Sequence, residues 1–116
     1  MPEIRETTVI NAPIERCFDL ARSIDFHEFT SASTGEKAIA GVTKGLIGLN
    51  EQVTWKARHF GITQTLTSKI SQCERPTIFE DQMLHGAFKS IHHLHTFEFL
   101  NGQTVMKDVF IFESPL

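Results

Sequence analysis

Tyrosine is absent from this chain, tryptophan occurs once and cysteine twice, and each scarcity narrows what the protein can be. The aromatic content rests instead on ten phenylalanines, rings without a polar handle that suit a dry interior better than a wet recognition surface. Cys17 and Cys73 stand far apart, outside any metal spacing or redox motif, and read as free thiols of a reducing compartment. A basic stripe is also missing. Eleven lysines and arginines are scattered singly in a chain of net charge −3, which argues against a nucleic-acid partner held through its phosphates. Long apolar runs are lacking too: uncharged stretches such as 38–43 and 46–50 fall far short of a membrane span, and the N-terminus has no signal-peptide pattern. The expectation is a cytoplasmic protein with no nucleic-acid partner and no membrane insertion. Its 116 residues form one domain, 1–116, with one core.

What the chain does have is a histidine-rich strand. Residues 88–100 alternate in strand fashion and carry His92, His93 and His95. Successive strand side chains point to opposite faces. Ile91, His93, His95, Phe97 and Phe99 therefore share one apolar face, and His92 belongs to the other.

Around this strand the order of elements is regular. Residues 3–10 alternate as a strand. After Asn11-Ala12-Pro13, the apolar positions Ile14, Cys17, Phe18 and Ala21 recur with helical spacing, and proline is tolerated at a helix start. Ser23-Ile24-Asp25 interrupts that helix, and 26–29 offers one more helical turn. Strands are predicted over 36–43, 49–60, 62–73, 77–85, 88–100 and 103–113, separated by Gly, Pro and Asn-Gly punctuation. The plan is α+β: a curved antiparallel sheet of six to seven strands with one or two short N-terminal helices. A sheet with one apolar face needs a cover, and helices this short cannot supply all of it.

Turn lengths give a register. A two-residue turn at Asn101-Gly102 pairs Leu100 with Gln103. Phe97 then faces Met106, His95 faces Asp108 and His93 faces Phe110. A three-residue loop at 86–88 sets Asp81 against His93, a four-residue turn at 73–76 sets Ser68 against Asp81, and the Gly61 turn sets Trp55 against Leu66. Two acid–imidazole pairs follow, Asp81 with His93 and Asp108 with His95, on an otherwise apolar floor. Buried polar groups must be satisfied, so pairs of this kind also serve structure alone. His93 and His95, two apart on one face, are spaced to share a zinc ion with Asp81 or Asp108, but that spacing is a weak signal, and neither a metal nor a cofactor is assigned.

The first strand, the Asn-Ala-Pro start of a short helix with Phe18-Asp19-Leu20, the meander, and the terminal Phe110-Ile111-Phe112-Glu113-Ser114-Pro115 resemble the START and polyketide-cyclase-like (SRPBCC) superfamily. The resemblance implies a helix-grip fold, with the family's long C-terminal helix absent from this chain. It implies a small hydrophobic or amphipathic ligand, of lipid, polyketide or aromatic class, held in the concave face by Trp55, His59, Asp81, Met83, His93, His95, Phe97, Met106, Asp108 and Phe110. Two alternatives stand beside ligand binding. One is a cyclase or dehydratase using His95 with Asp108, or His93 with Asp81, as general acid and base. The other is a regulatory module whose open face receives a partner helix. An uncovered apolar face also favours a homodimer through it.

Overall fold

The computed structural model describes residues 2–59 and 61–115, and the side chain of His59 lies outside the described residues. Strand β1 (Glu3–Ile10) leads into helices α1 (Ile14–Ala21) and α2 (Ile24–Thr30), and a 3-10 turn (Ala32–Thr34) follows. Then come β2 (Lys37–Gly41), β3 (Gln52–His59), β4 (Ile62–Glu74), β5 (Ile78–His85), β6 (Ser90–Leu100) and β7 (Gln103–Glu113). All seven strands form one antiparallel sheet in the order β1-β7-β6-β5-β4-β3-β2. The meander from β2 to β7 is sequential, and the two helices carry the chain across the sheet from β1 at one edge to β2 at the other. Among the described residues no helix is long and apolar enough to cross a membrane.

The predicted register holds at the C-terminal hairpin. Asn101 and Gly102 both have positive φ, 52° and 77°, the geometry of a turn whose twist matches that of its strands. Leu100 pairs with Gln103, Phe97 with Met106, His95 with Asp108 and His93 with Phe110. The odd loop places Asp81 opposite His93, and Trp55 lies opposite Leu66. The expectation for Ser68 fails. Strand β4 runs on to Glu74, which pairs with Ile78, so the turn is the three residues 75–77 and not the four residues 73–76; with a register shift between Ile70 and Gln72, this sets Ser68 against Met83 and brings Ile70 opposite Asp81. A bulge adds a residue to one strand only, and no turn length reveals it.

Phe18 explains why an eight-residue helix persists, since a helix so short is unstable alone. Its ring is fully buried and meets the rings of Phe79 and Phe97 edge-on, with centroids 5.4 and 5.2 Å away. Phe97 is consequently a core residue beneath α1, with Met106 packed against the same cluster; neither lines the cavity expected of them. Thr104, also fully buried, donates its hydroxyl to the Ala12 carbonyl at 2.7 Å, tying β7 to the turn that opens α1.

Helix α2 begins earlier than the single turn read from the sequence. Ser23 caps it, its hydroxyl accepting from the Phe26 amide at 3.1 Å, as serine does at a helix N-terminus. The segment before β3 is pinned to this start. The Ile24 amide donates to the Gly45 carbonyl at 2.9 Å, the Ile47 amide to the Arg22 carbonyl at 3.1 Å, and the Gly45 amide to Asp25 at 2.8 Å. Ile24 and Ile47 are thereby buried together, and the helices become one wall of a groove over the sheet.

Candidate functional site

Three adjacent strands build a polar cluster on the concave face. His95, on β6, is bracketed by two carboxylates: its Nδ1 lies 2.8 Å from Asp108 Oδ1 on β7, and its Nε2 lies 3.2 Å from Asp81 Oδ2 on β5. His93 Nε2 is 3.4 Å from the same Asp108 oxygen. The two pairs expected from the register are thus regrouped. Asp108 serves both histidines, and Asp81 reaches diagonally to His95 although its backbone partner is His93. His95 is the most enclosed member, its side chain 12 % exposed. Its ring stacks on Phe79 at 4.1 Å and meets the His93 ring at 3.9 Å.

Burial and hydrogen bonding oppose one another here. Desolvation pushes the His95 imidazolium toward losing its proton, but hydrogen bonds to Asp108 and Asp81, with their charges, outweigh it and raise the pKa. Burial likewise pushes the Asp108 carboxyl up, and the hydrogen bonds from His93 and His95 prevail, holding it well below the usual carboxylate range. Among the described residues no buried side-chain nitrogen or oxygen lacks a partner.

Beside this cluster lies a cavity of about 240 Å³, between the sheet and the α1–α2 wall. Asp81, His93 and His95 form its polar end; Trp55, Ile70, Phe79 and Phe110 are among its apolar lining. A second hollow of about 170 Å³ shares Glu36, Trp55, Leu66 and Ile91 with it and extends toward Phe88. Of the residues expected to line the cavity, Trp55, Asp81, His93, His95 and Phe110 do so. Asp108 backs the cluster from the side of β1, where a separate hollow is lined by Ile4, Glu6, His93, Asp108 and Phe110. Met83 lies outside both hollows of the groove, and the side chain of His59 lies outside the described residues.

The opposite wall escaped the sequence reading. His27 of α2 pairs with Glu36 at 3.0 Å, and its ring lies 4.4 Å from that of Trp55. Arg22, at the end of α1, also faces the cavity but is held by Asp19 at 2.9 Å. These contacts depend on how the helices fold back over the sheet, which no local pattern encodes.

Neither a family model nor a curated protein matches the sequence. Solved structures do. The protein TTHA0849 of Thermus thermophilus superposes with a TM-score of 0.78 at 17 % identity, over 99 % of this chain and 76 % of its own. The major latex-like protein 151 of Panax ginseng matches with a TM-score of 0.74 at 13 % identity, over 99 % of this chain and 80 % of that one. Ara h 8.0201 matches at 0.72 and 15 % identity, over 98 % and 79 %. At such identities the likeness establishes the fold alone: this chain is an α+β helix-grip domain, its sheet seven-stranded and its helices short.

Proposed function

We propose that the groove binds a compact hydrophobic or amphipathic molecule, of lipid, polyketide or aromatic class, with its polar end at Asp81 and His93. The observation that carries this reading is the composition of the groove, an apolar trough ending in a few convergent polar groups, which is the usual make-up of a small-molecule site. The main cavity, about 240 Å³, falls below the roughly 300–1,000 Å³ of drug-sized sites. It suits a ring system or a short chain, with any longer tail running past Trp55 into the adjoining hollow. The engagement of both ring nitrogens of His95 by carboxylates favours the binding reading over a free base at that position.

Trp55 makes the test simple. It is the only tryptophan and borders both hollows, so its emission reports on the groove. Titration with anilinonaphthalene sulfonate, an amphipathic aromatic probe, should quench it saturably at one equivalent, and native mass spectrometry should retain a non-covalent adduct with at least one member of a panel of fatty acids, sterols and planar aromatics. A Trp55 signal indifferent to the probe, together with bare protein across the whole panel, would overturn the proposal.

A further inference from the structure

We propose that Asp81, His93 and His95 form a binding site for one divalent transition-metal ion of the zinc class. One donor atom from each of the three residues lies within 4.8 Å of the others. One pair, His95 Nε2 and Asp81 Oδ2, is 3.2 Å apart. A tetrahedral ion holding nitrogen and oxygen at about 2.0–2.1 Å needs its donors about 3.3 Å apart, so one edge of the coordination figure is already present. The remaining edges close when the His93 ring, whose side chain is 29 % exposed, turns from its 3.4 Å contact with Asp108 toward Asp81 and His95.

Asp108 supplies the outer support. A hydrogen bond between His95 Nδ1 and Asp108, 2.8 Å long, places the Nδ1 proton on that side and turns the Nε2 lone pair toward Asp81, the carboxylate–histidine–metal arrangement that orients ligating imidazoles. A lone pair and a carboxylate oxygen both accept. Something positive must lie between Nε2 and Oδ2, and that is a second proton or a metal ion. The Phe79 ring stacked on His95, with planes 19° apart, keeps the imidazole in this orientation, and two neighbouring strands fix the spacing of all three ligands.

The donor set selects the ion. Two imidazoles and one carboxylate suit zinc, cobalt, nickel or iron(II), whereas calcium and magnesium favour oxygen alone. Three protein ligands leave at least one position open. All three residues line the groove, so the open position faces it and takes water or a donor atom of a bound molecule. The site shares residues with the proposed ligand pocket but does not depend on it, because the metal alone is the probe.

The test uses the full chain without an affinity tag, stripped by chelator. Zinc binding is followed by calorimetry and cobalt(II) binding by its visible absorption. One equivalent should bind saturably, and Asp81→Asn and His93→Gln should each weaken binding at least tenfold. Asp108→Asn, a positioning change, should cost about 10–100-fold and alter the cobalt spectrum without abolishing it. His92→Gln, on the outer face, should change nothing. Circular dichroism checks the fold of each variant, and if Asp81→Asn fails to fold, His93→Gln carries the test. Absence of saturable uptake at one equivalent overturns the proposal, and so does uptake undiminished in a folded His93→Gln variant, whatever His92→Gln does. Metal uptake without quenching of Trp55 by the amphipathic probe would count against the ligand reading alone.

Discussion

Phe18→Ala removes the one large side chain of α1 that is fully buried, and its cost follows from the contacts. The residue has no exposed surface, and deleting a buried phenyl ring costs about 3–5 kcal/mol in transfer and cavity terms. Two edge-on ring contacts, to Phe79 and Phe97, are worth about 0.5–1.5 kcal/mol each within that total. The Arg22 guanidinium, 5.5 Å from the ring centroid, loses its cation–π partner as well. Within α1 the only other buried residue is Cys17, too small to take over, so a loss of about 4 kcal/mol is expected. With a urea dependence of about 1.5 kcal/mol per molar for a domain of this size, the midpoint should fall by roughly 2–3 M. Urea unfolding read by far-ultraviolet circular dichroism and by Trp55 emission measures it. Phe18→Leu should recover more than half of the loss, because it refills most of the volume. A cost below about 1 kcal/mol for Phe18→Ala would refute the claim that this ring holds the helical wall in place, and with it the account of the groove.

Two further outcomes are expected. Thr104→Val keeps the shape of a fully buried side chain but, among the described residues, leaves the Ala12 carbonyl with the 3.9 Å contact from the Cys17 thiol; urea unfolding should register a loss of about 1–2 kcal/mol, while Thr65→Val on the exposed face of β4 should stay within about 0.5 kcal/mol. Asp19, hydrogen-bonded by Arg75 and then by Arg22, has its carboxyl lowered to about 2 from 3.8. The folded state therefore holds fewer protons, and this stabilisation is present above about pH 4 and is lost as the pH falls through about 2. Screened at a partly exposed site, it amounts to about 1 kcal/mol. The difference in unfolding midpoint between the native protein and Asp19→Asn should shrink from pH 5 to pH 2, and a constant difference would remove the argument.

Much of the sheet was legible because strand faces and turn lengths are local properties. Asn101-Gly102 has one favoured conformation, and counting back along the hairpin from it puts Asp108 opposite His95 with no other constraint; the same parity argument excluded His92 from the concave face. The helices were legible only in part. Ser23 looked like an interruption because a cap and a break use the same residue type, and which it is depends on whether the segment before β3 docks beside it. Phe97 and Met106 carry the same inward pattern as Phe110, yet Phe97 belongs to the core cluster with Phe18, Met106 packs against that cluster, and Phe110 lines the cavity. Periodicity reports which side of a sheet a residue occupies. It does not report what covers that side.

The grouping of the acids around His95 follows from what each of them meets on its neighbouring strands. Had Ser68 stood opposite Asp81, its hydroxyl would have offered the carboxylate a donor across the β4–β5 ladder. The turn at 75–77 and the bulge after Ile70 put Ile70 there instead, and an isoleucine side chain donates nothing. Phe79, directly opposite His95, stacks beneath the imidazole and leaves its edge free, so the nearest donor for Asp81 is the Nε2 edge of the diagonal histidine. On the other side Asp108 lies opposite His95 and within reach of His93, and it takes Nδ1. Two separate acid–imidazole pairs thus become one chain of contacts, Asp81 to His95 to Asp108 to His93. That chain concentrates two carboxylates at a single imidazole, which is the arrangement that a cation would stabilise most.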